Sequence, residues 1–191
     1  STGIKSNAGI QLDRSYNISF STISNDTPIY VSGTISDDQI WRPENGVYVI
    51  TGNVTVNSTL TILPGTIVKF TRSSTRLFMQ INGVLNARGT ASAPIYFTSL
   101  RDDSPETGGD TNQDGFASLP AATDWGYIYF NGSTSSSSVL EHAVLKYGGY
   151  RPGIYSMVYA YESAPRITDC TFGHFYEKAL RYNEPPLDIT V

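Results

Sequence analysis

Between Leu60 and Phe70 the chain alternates apolar and polar positions, breaks at Pro64-Gly65, and resumes through Ile67-Val68-Lys69-Phe70. The same grammar follows in Ile81-Asn82-Gly83-Val84-Leu85-Asn86-Ala87, with Asn82-Gly83 near the break. A period of two sends successive side chains to opposite faces of a strand, and Pro-Gly and Asn-Gly pairs mark turns. Short strands are therefore predicted at 9–12, 17–23, 29–31, 47–51, 54–56, 60–62, 66–70, 78–81, 95–98, 127–130, 139–147, 157–161, 166–172 and 187–191. Helical periodicity is nearly absent. Only 176–180 lacks breakers and is expected to form a turn of helix.

The phrases recur about every 20 residues, the signature of a solenoid, in which each turn buries its apolar face only by stacking on its neighbours. Ile10 and Ile29 stand about one such period apart in look-alike phrases, as do Ile167 and Ile189. A sandwich would also have short strands, but without recurrent phrases. The expected core comprises Val54, Val56, Ile62, Val68, Phe70, Ile81, Ile95, Phe97, Ile128, Phe130, Leu145, Val158, Ile167, Cys170 and Phe172. Two stretches interrupt the rhythm. Residues 36–46, with Trp41, Arg42 and Pro43, bridge an incomplete first set of turns to the main set. Residues 101–124 form a polar insertion too long for a simple turn, of the kind that is functional, metal-bound or disordered. Residues 133–138 are a Ser/Thr-rich solvated connection.

The series running from 54–70 through 81–98, Asp124-Trp125-Gly126-Tyr127-Ile128-Tyr129-Phe130 and Leu140-Glu141-His142-Ala143-Val144-Leu145-Lys146-Tyr147-Gly148-Gly149 closely resembles secreted right-handed parallel β-helix repeat proteins of bacteria and archaea. Ser163-Ala164-Pro165-Arg166-Ile167-Thr168-Asp169-Cys170-Thr171-Phe172 looks like one more turn of that type. The resemblance implies an all-β, right-handed parallel β-helix of roughly six to eight turns, a single domain over 1–191. It implies little about function, since such proteins include polysaccharide lyases, glycosidases, adhesins and structural spacers.

Composition agrees with a turn-rich all-β chain: charged residues are only 16%, against the usual quarter, and tyrosine is abundant, at 13 copies. A net charge of −4 leaves no basic footprint for nucleic acid. No apolar run approaches the roughly 18 residues needed to cross a membrane as a helix. Ser1 opens no signal peptide, so a mature or excised segment is expected. Cys170, the one cysteine, precludes an internal disulfide and reads as a buried small hydrophobe. Sequons occur at Asn17, Asn25, Asn53, Asn57 and Asn131, a number that chance accounts for in a chain rich in Asn, Ser and Thr.

Two constellations could carry function. Asp110-Thr111-Asn112-Gln113-Asp114-Gly115-Phe116 reproduces the first half of a calcium loop. Asp110, Asn112 and Asp114 would offer side-chain oxygens, Gly115 the sharp turn, and Phe116 its carbonyl. Ala121 stands where an EF-hand has its bidentate Glu, so another acid must close the shell: Asp124, Asp102, Asp103 or Glu106. The second constellation is a row of tyrosines, Tyr30, Tyr96, Tyr129 and Tyr159, each flanked by apolar residues that should face inward. Outward tyrosines one turn apart can form a ladder that stabilises the surface, or an aromatic platform for sugar rings or a protein.

Enzymatic signals are poor. Glycoside hydrolysis needs two carboxylates at a set separation, whereas the acids here gather in 102–124 and at isolated turns such as Asp13, Glu162 and Asp188. The expectation is a non-enzymatic extracellular or cell-surface β-helix, structural or adhesive. Its expected partners are copies of itself end to end, or further turns of a longer chain, because no cap is visible at either terminus. The alternative is a polysaccharide-binding or polysaccharide-degrading module using the tyrosine face.

Overall fold

The computed structural model describes residues 27–183 and the backbone of 189–190; the strands expected at 9–12 and 17–23, Asn17 and Asn25, and both chain ends lie outside them. Within those residues the protein is all-β, 45% strand, built of parallel strands in a nearly closed sheet, the arrangement of a parallel solenoid or barrel. Among the described residues no helix is long and apolar enough to cross a membrane.

The strands gather on three faces. The first takes Ile67–Phe70, Ile95–Ser99, Ala143–Lys146 and Thr171–Gly173. The second takes Met79–Ile81, Ile128–Asn131, Ser156–Tyr161 and Lys178–Asn183. Two long strands, Ile29–Ile35 and Tyr48–Val56, run through both faces and unite them as one ten-stranded sheet. The third face is a six-stranded sheet of Gln39–Trp41, Thr59–Ile62, Val84–Arg88, Val139–Glu141, Arg166–Thr168 and Ile189–Thr190.

Parallel register places like on like. Tyr48 pairs with Val68, Val68 with Phe97, Phe97 with Leu145, and Leu145 with Phe172. On the second face the row is Val54, Met79, Ile128, Val158 and Leu180. On the third it is Ile62, Ala87, Leu140 and Ile167. These rows meet inside as one apolar core. Every residue of the expected core is buried except Cys170 and Phe172, which are half-buried against it.

Three local expectations change. The bridge 36–46 contains a strand, Gln39–Trp41, and so supplies the first strand of the third face. Residues 178–180 belong to the strand Lys178–Asn183 and not to a helix, because pairing with Ser156–Tyr161 overrides a weak local preference. The strands expected at 139–147 and 166–172 are each cut in two. His142 and Asp169 adopt left-handed backbone at the corner, with φ of 45° and 54°, a conformation that His and Asp tolerate better than most residues.

Glycine 83 serves close approach and not a left-handed turn: a Cβ there would lie 2.1 Å from the Ser58 carbonyl oxygen of the preceding turn. Gly148 does the same for a side chain. Trp125 is fully buried, stacks on Phe70 at 4.4 Å and 8°, and donates from Nε1 to the Lys146 carbonyl at 2.7 Å. A Cβ on Gly148 would stand 2.5 Å from that indole. Gly148→Ala should therefore lower unfolding stability by about 1–3 kcal/mol, the usual range for overpacking, in urea denaturation followed by Trp fluorescence. An unchanged midpoint would show that the corner yields freely.

Candidate metal loop and aromatic face

The insertion is a cover for the first face. Val49, Lys69 and Thr98 are in register on the outer side of that face, and all three are fully buried. The chain leaves Ile95–Ser99 and folds back over them. Lys69 holds it there: its Nζ donates to the carbonyl oxygens of Asp102 at 2.7 Å and Gly109 at 2.8 Å. Burial pulls the Lys69 amine down to about 8, although Asp102, Asp103 and Asp110 oppose the shift. At the other end, buried Asp124 accepts from Ser99 Oγ at 2.7 Å and from the Ala121 N–H at 3.1 Å, and faces Arg72 Nε at 3.4 Å.

Within this frame the carboxylates of Asp103, Asp110 and Asp114 offer oxygens within 4.8 Å of one another. Asp110 accepts from the backbone N–H groups of Asp114 at 3.1 Å and Gly115 at 2.8 Å, which shapes the sharp turn. The Asn112 amide donates to Asp114 Oδ2 at 2.7 Å and to Ser118 Oγ at 3.3 Å. That orientation leaves the Asn112 oxygen free. Oδ1 of Asp103, Asn112 and Asp114 are all buried without a hydrogen-bond partner. Burial, then the charge on Asp110, raises the Asp103 carboxyl above its ordinary value, while the bond from Ser118 chiefly holds Asp114 below its own. Bare oxygens and like charges in one loop suit a hard cation.

Asp110, Asn112 and Asp114 are thus brought together, and of the four acids considered for the shell Asp103 joins them. Asp124 does not: it anchors the loop's end. Asp102 is engaged by Thr98 Oγ1 and Ser104 Oγ, and Glu106 faces Lys146 Nζ at 3.5 Å. Phe116 stands at the loop's apex, 83% exposed. Lys69 was legible only as a lone cation in an apolar strand.

The four tyrosines do not form one row. Tyr30 and Tyr96 lie on the first face, two register positions apart: Tyr30 pairs with Val49 and so aligns with Lys69, whereas Tyr96 pairs with Ile67. Tyr129 and Tyr159 pair directly on the second face, their rings stacked at 5.2 Å and 10°. A ring stacked on its neighbour has little face left for a sugar. Tyr129 points its hydroxyl at Asn131 Oδ1, the end of an amide ladder in which Asn131 donates to Asn82 and Asn82 to Asn57. Asn53 accepts from the Phe78 N–H. Tyr30, 68% exposed, instead lines a cavity of about 290 Å³ with Asn112 and Gln113 at the edge of the acidic loop.

Two remaining candidates have structural occupations. Glu141 is clamped between Arg88 at 3.1 Å and Arg166 at 3.0 Å, although it also lies near His142 and Asp169. Burial pushes the Cys170 thiol up to about 11, and its Sγ–H points at the Leu140 and Thr168 carbonyls. Such a thiol is a poor nucleophile near neutral pH. In comparisons with known proteins, the chain matches no protein-family model, no curated protein and no solved structure.

Because the folded-state pKa of Lys69 lies below its unfolded value, the unfolded chain binds more protons between about pH 8 and the ordinary lysine value. Relative to Lys69→Met, the native protein should gain stability as pH rises through that window, and lose that gain as pH falls through 8. Urea denaturation of both proteins in EDTA at pH 7 and pH 10 reads the difference directly; a gap of the opposite sign would remove Lys69 as its source. Lys69→Met should also make 102–124 more sensitive to protease.

Proposed function

We propose that this chain is a right-handed parallel β-helix, serving as a non-enzymatic structural or adhesive element of an extracellular surface protein or self-associating fibre. The observation that carries the reading is the use of outward rows. Tyr129 stacks on Tyr159, Asn57, Asn82 and Asn131 are chained by amide bonds, and Glu141 bridges Arg88 and Arg166. Each row ties one turn to the next, as a stiff rod requires. Further turns, or another copy end to end, would continue the same ladders. Native material seen by electron microscopy should show rods lengthening along the helix axis. Monomers at high concentration, from a gene whose product has no further turns, would count against self-association.

Calcium is the second element of the proposal. Asp103, Asp110, Asn112 and Asp114 would hold one ion, which would neutralise the loop's acids and order its apex. Extracellular modules bind calcium at about 10⁻⁴–10⁻³ M, so even a weak site would fill outside a cell. Asp110→Ala with Asp114→Ala should abolish calcium binding measured by calorimetry and expose 102–124 to protease, with the strands still folded. Asp103→Asn should weaken binding, whereas Asp124→Ala should leave the ion's ligands in place and instead loosen the loop's end. Retention of full affinity by the double variant would place the ion elsewhere. Acidification should weaken binding in the native protein from a higher pH than for ordinary aspartates, because Asp103 holds its proton more tightly.

A polysaccharide-binding or polysaccharide-cleaving module is the second reading, favoured by exposed Tyr30 beside its cavity. A glycan array run with a reducing-sugar assay separates the two: saturable binding lost in Tyr30→Ala, or cleavage lost on changing one acid, would move the assignment.

A further inference from the structure

Arginines and aromatic rings form one connected surface over the second face. Arg151 lies over the rings of Phe78 at 4.7 Å and Tyr127 at 5.5 Å. Phe78 stacks on Tyr127, and Tyr127 meets Tyr129 edge-on. Tyr129 stacks on Tyr159, over which Arg181 sits at 5.5 Å. Arg181 is fixed by Nη1 bonds to the carbonyls of Gly153, at 2.6 Å, and Ile154, at 3.1 Å. The segment holding those carbonyls presents Tyr150 and Tyr155, which with Tyr176 form a second aromatic group, and Arg76 lies over Tyr150 at 5.3 Å.

Among the described residues, Arg76, Arg101, Arg151 and Arg181 have no carboxylate partner in an ion pair, whereas Arg42, Arg72, Arg88, Lys146, Arg166 and Lys178 each do; of the four, Arg76, Arg151 and Arg181 lie over aromatic rings. The Arg76 Nε is buried with no hydrogen-bond acceptor at all. This is unexpected in a chain of net charge −4. The acids of 102–124 lie over the first face; at this surface the nearby acids are Glu162, near Tyr129, and Glu177, beside Tyr176 and paired with Lys178.

We propose that Arg76, Arg151 and Arg181, set in the aromatic surface of the second face, bind an acidic polysaccharide through its carboxylate or sulfate groups. Guanidinium groups present fixed N–H forks that match such anions, and lying flat on aromatic rings preorganises them. Tyr127 is buried beneath Arg151, the rings of Phe78, Tyr129 and Tyr159 are stacked, and the Tyr129 hydroxyl is taken by Asn131, so the guanidinium groups are what this surface offers an anion. A peptide lacks its usual means of attachment here. Strands of this face from Met79–Ile81 to Ser156–Tyr161 are paired on both sides and offer no edge for an added strand. The site is independent of the calcium loop, so it should bind equally in calcium and in EDTA; failure of either proposal leaves the other standing.

Affinity electrophoresis and calorimetry of the full chain at low salt, with polygalacturonate and heparin as probes, test it; dextran and polyglutamate are the controls. Retention by one or both acidic polysaccharides, not by dextran, is the expected result. The Arg151 guanidinium makes no hydrogen bond among the described residues, so Arg151→Gln should weaken binding about tenfold with the unfolding midpoint nearly unchanged, and Arg151→Lys should restore part of it. Arg76→Gln should weaken it similarly; if that variant fails to fold, Arg151→Gln decides alone. No retention by either probe, equal retention by dextran, or native affinity in folded Arg151→Gln would overturn the site. Preferential binding of polyglutamate would reassign it to an acidic peptide and overturn the proposal as stated.

Discussion

Each interior strand of the two sheets finds its ladder partners in passes of the chain before and after it, neighbours in the sheet that are distant in sequence. Parallel ladders are strict about register, so a position once inward stays inward at every pass. That requirement explains the core, where Val54, Met79, Ile128 and Val158 fall in line. It explains the surface equally. Asn meets Asn, Tyr meets Tyr, and Glu141 meets Arg88, because equivalent positions about 4.8 Å apart leave a side chain few other neighbours; Arg166 reaches Glu141 diagonally, from the register position of Val139. Corners obey the same rule: Tyr147 and His174, both left-handed, stack ring on ring at 4.9 Å.

The long loop does not follow that rule and is held by other means. A buried lysine would ordinarily weigh against folding, yet Lys69 has two carbonyl acceptors and three aspartates around it. Near neutral pH it acts as the protein's own cation beneath an acidic segment. On this view calcium, if bound, would be the exchangeable counterpart above it, seated against the Oδ1 atoms of Asp103, Asn112 and Asp114, which no protein donor reaches. The loop's base would then be fixed by the chain itself and its apex by the medium.

Much of the architecture was legible in the alternation of 60–70 and 81–87, since a period of two and a turn pair need only local sequence. Gln39–Trp41 was not, because three residues carry too little pattern to distinguish a strand from a bridge. The spacing of Asp110, Asn112 and Asp114 was legible, and the approach of Asp103 rather than Asp124 to them was not, since it depends on where a long loop closes. The tyrosine row failed for a related reason. Alternation correctly turned Tyr30, Tyr96, Tyr129 and Tyr159 away from the core, but which face and which rung each occupies is a property of turn lengths, which differ from one pass to the next. Arg151 and Tyr150 sit in a connecting segment with no periodicity, and only the folded chain lays them across the second face.

The insertion begins over Lys69 and ends at Asp124 and Trp125, and both points are tied to residues of the strand stack: carbonyls gripped by Lys69, Ser99 hydroxyl, Phe70 ring and Lys146 carbonyl. Almost nothing between them sets the register of the next turn. The protein therefore contains a port. Segments of other lengths and chemistries could be spliced between Gly109 and Ala121 with the strand ladders on either side kept, which makes this corner the natural place to graft a binding loop onto the scaffold.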